Sequence, residues 1–150
     1  MSIKFTFDIP PQTQLRPRAS RRGRAIVVYD PPKVKAFKAK LHAMAKETYK
    51  GKPLTGPLEV TFVFYRPLQS SLSKAAKARR LSGVEPPVVK PDLSNYLKAS
   101  EDALNSILWL DDRFIVIERC FKRYSETPRI EVEVKKYERK DTMNYEATLQ

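Results

Sequence analysis

With 150 residues, 41% of them hydrophobic and 31% charged, the chain is long enough for one domain with its own core and gives no sign of a second. Lysine and arginine outnumber aspartate and glutamate 29 to 17, a formal charge of +12, which points to a polyanionic partner such as a nucleic acid. The single cysteine excludes an internal disulfide and any Cys/His zinc cluster. No apolar run of about 18 residues is present to span a membrane, and the N-terminus is no signal-peptide core, so the expected home is a reducing cytoplasm.

Ile3, Phe5, Phe7 and Ile9 alternate with Lys4, Thr6 and Asp8, the period of a half-buried strand, which Pro10-Pro11 stops. Residues 12–24 then carry Arg16, Arg18, Arg21, Arg22 and Arg24 with a proline, a glycine and no apolar period. They read as a mobile basic loop. Its guanidinium groups suit bidentate contacts to backbone phosphates, the alternative being a loop that charge merely keeps solvated. Ala25 to Tyr29 is a short strand candidate, and Asp30-Pro31-Pro32 turns into a helix over about Lys33 to Tyr49. Val34, Phe37, Leu41, Met44 and Ala45 form its apolar stripe, and Gly51 is placed to end it. His42, with no acid nearby in sequence, reads as incidental.

Leu58, Val60, Phe62 and Phe64 put one face of a strand from Leu58 to Tyr65 in the core. Residues 67–90 look like a basic insertion. Within it Ser73 to Leu81 has good helix formers, four basic side chains (Lys74, Lys77, Arg79, Arg80) and Gly83 as a cap. Such a short helix is marginal alone and either orders on DNA or stays a solvated excursion.

Pro91 cannot sit inside a helix and Asp92 can cap one, so a helix is expected from Asp92 to about Leu108. Leu93, Leu97, Ser100, Ala103, Leu104, Ile107 and Leu108 share its apolar arc. Ser94, Asn95, Lys98, Glu101, Asp102 and Asn105 share the other, a face with chemistry on it. Arg113 to Tyr124 reads as a long strand whose alternation slips, implying a bulge. Ile130, Val132 and Val134 mark a last strand, with Pro128 separating the two as a hairpin. The order strand-helix-strand-helix-hairpin predicts an α+β single domain, a mixed β-sheet with helices packed on it. Residues 1–137 form the domain and 138–150 a flexible tail.

Asp92, Asp102 and Asp111-Asp112 are hard oxygen ligands with no soft ones beside them, suited to Mg²⁺ or Mn²⁺. Lys98 lies one helical turn from Ser94 and from Asp102, where its charge could serve a phosphoryl transition state. The plainer readings are an N-cap for Asp92, a polar turn for Asp111-Asp112 and an intrahelical partner of Asp102 for Lys98. A helix from Asp92 to Leu104 is about 20 Å long, and residues 105–111 reach about 23 Å when extended. Asp112 therefore meets Asp92 only if those residues run back along the helix, or else across a dimer. Trp109 is either a packing anchor or a dimer contact.

The run KPDLSNYLKASEDALNSILWLDD closely resembles the signature of the RusA family of Holliday junction resolvases, many of them phage-encoded, which reads approximately KPDxDNLxKxxxDAL followed by DD and a strand. The resemblance extends to the first strand with its Pro-Pro, to Arg16, Pro17, Arg18 and Gly23 of the basic segment, and to the Ser-Lys-Ala-Ala-Lys-Ala-Arg-Arg insertion. It implies a homodimeric, Mg²⁺- or Mn²⁺-dependent endonuclease of a bacterial cell or phage-infected host that cuts four-way DNA junctions symmetrically. By position Asp92 and Asp112 match metal-binding catalytic aspartates, Lys98 the catalytic lysine and Asp102 the helix aspartate, with Asp111 a further candidate ligand. The basic side chains of the loop and the insertion are then the DNA contacts. Ser94 stands where the family has a second aspartate. Either Glu101, Asp111 or Asp102 supplies the missing charge, or metal affinity falls, or the protein binds junctions and cuts them poorly. A basic protein- or RNA-binding module is the remaining alternative.

Overall fold

The computed structural model describes residues 2–139. The elements in chain order are β1 (Ser2–Phe7), β2 (Arg18–Arg22), β3 (Ala25–Tyr29), α1 (Pro32–Thr48), β4 (Leu58–Pro67), α2 (Lys74–Leu81), α3 (Leu93–Leu104), β5 (Ile115–Ser125) and β6 (Arg129–Lys136). Four strands make a mixed sheet in the order β1-β6-β4-β5, with β6 antiparallel to β1 and β4, and β5 parallel to β4. The α+β single domain is the one expected. Residues 140–150, most of the expected tail, lie outside the described residues.

The closing strands follow one another but do not pair. β4 lies between them, and residues 126–128 pass over its end, a span of two strand spacings or about 10 Å. Leu58, Val60, Phe62 and Phe64 are fully buried, and a strand so apolar gains more from two neighbours than from an edge. The bulge expected in β5 lies at Val116. Leu58 opposes Ile115 and Glu59 opposes Ile117, so Val116 is passed over and left exposed.

Helices α1 and α3 cover one face of the sheet. From α1 come the buried Val34, Phe37, Leu41 and Ala45, the stripe the periodicity marks. The helix stops at Tyr49, whose backbone is extended, so Gly51 is no cap. Gly51 instead leaves room for the Tyr49 ring, whose atoms a Cβ there would approach to 2.8 Å. In α3 the buried arc centres on Tyr96, Ala99, Ser100 and Ala103, displacing Leu93 and Leu97 to partial burial, because the Tyr96 ring takes the place against Phe64 (5.5 Å between centroids). The helix ends at Leu104, not Leu108: Asn105 turns extended and Ser106 has φ +70°.

The arginine segment is not a mobile loop. Arg18–Arg22 pairs with Ala25–Tyr29 as an antiparallel hairpin apart from the main sheet, closed by a two-residue turn in which Gly23 takes φ +64°. Arginine shows no apolar period, so the signal lay in β3, whose Ile-Val-Val-Tyr run recruits β2 as its partner. Every residue of β3 is exposed. The insertion segment is helical without DNA, with the Ser73 hydroxyl accepting the Ala76 N–H at 3.2 Å, and it packs on β5 instead of standing as a solvated excursion.

Candidate active site

The approach to α3 is held from the sheet. The Arg66 guanidinium, near the end of β4, donates to the carbonyl of Lys90 at 2.8 Å, and Lys122 on β5 donates to those of Val89 (3.0 Å) and Pro91 (3.1 Å). Sequence reading gave neither cation a role, since both sit on strands outside any motif. Between them they pin the residues immediately before Asp92. Asp92 occupies the N-cap position, but its carboxylate makes no capping hydrogen bond and is exposed. Its backbone carbonyl accepts the first helical hydrogen bonds, from Asn95 N–H at 3.1 Å and Tyr96 N–H at 3.4 Å. Ser94 is exposed on the first turn.

One turn further, Lys98 donates to Asp102 Oδ1 at 3.0 Å, and Asp102 Oδ2 accepts from Lys38 on α1, also at 3.0 Å. Asp102 thus serves two lysines. The hydrogen bond to Asp102, and after it the charges of Asp102, Asp112 and Glu101, raise the Lys98 pKa. At neutral pH Lys98 is therefore a firmly held cation, and it is largely exposed. His42, part-buried, donates from Nδ1 to the Ala103 carbonyl at 3.1 Å and stitches α1 to α3, more than the incidental role read for it.

Residues 105–111 turn back at the C-terminal end of α3, which sets Asp112 near Lys98 and Asp102 on the later turns of that helix. Ile107 and Leu108 both donate to the Leu104 carbonyl at 3.1 Å, a tight turn that drives Leu108 and Trp109 into the core. Trp109 is fully buried, edge-on to Phe62 (84°, 6.4 Å), and its indole N–H donates to Asp112 Oδ1 at 2.7 Å. The tryptophan is thus a packing anchor that aims an aspartate. Burial raises the Asp112 pKa; the Trp109 hydrogen bond opposes this, the Asp102 charge adds to it and Lys98 opposes it again. Asp112 accordingly lies within the field of the motif helix of its own chain. Asp111 caps the 3₁₀ turn Asp112–Phe114 by accepting from Arg113 N–H on Oδ1 at 2.9 Å.

Glu118 belongs to no motif in the sequence. It lies on β5, where strand register rather than any local motif carries it to α3. Burial first, then a hydrogen bond and the charge of Glu118, push the Glu101 carboxyl up to about 9. In the unfolded chain the group ionises near 4.5. Between those two pH values the native state holds a proton the unfolded chain has lost, and stability falls as pH rises. In metal-free buffer the Tm is expected to decline across that range, and Glu101→Gln to flatten the decline; a thermal-melt series in which the variant tracks the parent contradicts this.

The basic side chains divide. Arg16, Arg18, Arg21, Arg22 and Arg24 are exposed on or beside the hairpin, and Lys74 is exposed on α2. Lys77 is half-buried. Arg79 and Arg80 pair with Glu85 at 3.4 and 3.1 Å, and Arg80 lies over the Tyr124 ring at 4.9 Å with little of its side chain exposed. Arg80 fastens α2 to β5.

Among the described residues no three Asp, Glu, His or Cys side chains converge as a metal cage. The donors nevertheless have the right chemistry for a hard cation: Asp92 offers an uncapped carboxylate, and Asp112 and Glu101 are carboxyls short of positive charge. No helix among the described residues is long and apolar enough to cross a membrane.

A basic hairpin beside a helix that presents carboxylates and a lysine defines a protein that handles phosphodiesters. Residues 8–135 match the family model described as Endodeoxyribonuclease RusA, and the chain belongs to the RusA family of endodeoxyribonucleases. A relative in Bacillus subtilis (strain 168), described as Uncharacterized protein YqaN, is 37% identical over 135 residues, covering 89% of this chain and 95% of its own. The family makes the protein a DNA nuclease and implies activity on Holliday junctions.

Proposed function

We propose that the protein resolves four-way DNA junctions as a homodimer, each protomer hydrolysing one phosphodiester with Mg²⁺ or Mn²⁺. The observation that carries this reading is the return of Asp112, held by Trp109, into the field of Lys98 on the helix that Asp92 opens. Asp92 and Asp112 would hold the ion, which supplies a water of lowered pKa and charge for the leaving oxygen. Lys98 would leave Asp102 to meet a phosphate oxygen as negative charge develops there. Trp109 keeps Asp112 in one orientation, and its indole N–H keeps that carboxyl easier to ionise. A two-fold dimer presents two such sites to two symmetric strands.

The hairpin arginines are the phosphate grip in this account. Each phosphate neutralised contributes about 0.9 to the slope of log K against log salt. Replacing Arg18, Arg21, Arg22 and Arg24 together by Gln is expected to flatten the slope for junction binding by about 3 to 4. A fluorescence-anisotropy titration across a potassium chloride series measures it, and an unchanged slope takes the hairpin out of the interface.

Ser94 supports a second reading, a junction-binding protein that cuts weakly, since an exposed hydroxyl brings no charge to the first turn of α3. Of the side chains that could replace the lost carboxylate, Asp102 is taken by two lysines and Asp111 by its turn. That leaves Glu101, backed by Glu118. A labelled junction incubated with Mg²⁺, Mn²⁺ or EDTA separates the readings: cleavage confined to the metal lanes supports resolution, and tight binding without cleavage at any metal concentration supports the second.

A further inference from the structure

Both roots of the arginine hairpin are tied to helix α3, one through the part-buried ammonium group of Lys38 and the other through a backbone hydrogen bond. Lys38, about a fifth exposed, donates to Asp30 Oδ2 at 2.8 Å and to Asp102 Oδ2 at 3.0 Å. Asp30 directly follows β3, and its other oxygen accepts from the Gln14 side-chain amide at 3.1 Å. Gln14 precedes β2, and its backbone N–H donates to the Asn95 carbonyl on α3 at 3.0 Å. The links close a ring that runs Asn95, Gln14, Asp30, Lys38, Asp102. Asp102 in turn gives its remaining oxygen to Lys98.

We propose that Lys38 is a positioning residue for the junction reaction: it sets the hairpin that grips DNA against the Lys98 face that acts on the phosphate. This rests on the functional reading above. Lys38 is the cation shared by two carboxylates that would otherwise repel, and its hydrogen bond is the main reason the Asp30 carboxyl sits below its ordinary range. Without it, Asp102 keeps Lys98 as its sole lysine partner and draws that side chain away from substrate, while Asp30 loses the contact that anchors the end of β3. An exposed ion pair does little. This one is part-buried and joins three segments of chain, so its loss acts on geometry more than on energy. A lysine that merely stapled α1 to α3 would lower stability and leave the folded protein's hairpin and kinetics alone.

The test uses Lys38→Met and Lys38→Arg in the full chain, at a temperature where both are folded by circular dichroism. Three readouts are taken: hydrogen exchange of the amides of residues 18–29, junction Kd without divalent metal, and single-turnover cleavage at saturating enzyme. For Lys38→Met the hairpin amides are expected to exchange faster while those of β4 and β6 do not change. Junction Kd is expected to weaken, and saturated cleavage to slow, each by about tenfold. Lys38→Arg, which keeps the charge and two donors, recovers most of each. Should Lys38→Met not fold, Gln14→Ala and Asp30→Asn open the same ring on the hairpin side and are expected to give the same exchange and Kd changes. Hairpin exchange and junction Kd at parental values in these folded variants overturn the proposal. A parent that binds junctions and never cuts them overturns the resolvase reading instead, and exchange and Kd then still decide the role of Lys38.

Discussion

Asp92→Asn and Asp112→Asn are each expected to lower junction cleavage by about a thousandfold or more, with junction affinity nearly unchanged. A bound divalent ion supplies several kcal/mol to the transition state of phosphodiester hydrolysis, and each 1.36 kcal/mol is a factor of about ten in rate. Asparagine keeps the shape of either side chain and removes only its charge. At Asp112 the amide oxygen still accepts the Trp109 N–H now bonded at 2.7 Å, so the return loop stays in place. At Asp92 the carboxylate makes no capping bond that could be lost. Binding, carried by the arginines, should survive in both. Ser94→Asp works in the other direction, adding a carboxylate to the exposed first turn of α3; cleavage at limiting Mg²⁺ should rise. Single-turnover rates measured beside anisotropy Kd values give the answer, and either Asn variant cutting at the parental rate removes that aspartate from the chemistry.

Trp109→Ala should bring the largest loss of stability. The side chain is fully buried between the sheet and the return loop, and emptying such a site costs about 3–5 kcal/mol, or a fall in Tm of about 10 °C for a domain of this size. Trp109→Phe separates packing from orientation. It keeps most of the apolar contact and deletes the N–H whose hydrogen bond holds the Asp112 pKa down against burial. The carboxyl should then ionise only at higher pH, and the acid limb of the pH–cleavage profile should move upward. A profile that stays in place while the Tm drops leaves Trp109 as packing alone.

Strands β1, β4 and β6 and helix α1 were legible because their signals are local. Alternation at Phe5 and Phe7, at Val60, Phe62 and Phe64, and at Val132 and Val134 needs nothing but the pleat. The chemical arc of α3 was legible in the same way, from helical spacing. What escaped depends on contacts distant in sequence. Glu59, which looks like an outward residue of β4, is buried beneath Arg119 (3.0 Å) and Lys135 (3.5 Å) from the two flanking strands. The placement of β4 between β5 and β6 follows from competition among strands for the centre of the sheet, which no turn signal records. The hairpin was hidden because its first strand is nearly all arginine and small residues and takes its conformation from its partner.

The site divides on the same line. Asp92, Lys98, Asp102 and Asp112 could be picked out by type and spacing. The partners that decide what each is free to do could not. Lys38 claims Asp102 across 64 residues of chain, Glu118 reaches Glu101 from a strand edge, and Arg66 and Lys122 hold the backbone before Asp92.

This chain is expected to cut four-way junctions in symmetric pairs. The most direct test follows both continuous strands of one labelled junction, and a linear duplex of the same sequence, with Mg²⁺ or Mn²⁺ present. Paired nicks at symmetric positions in the junction, with the duplex left intact, are the predicted result. Equal cutting of the duplex, or a junction bound tightly and never nicked, would contradict it.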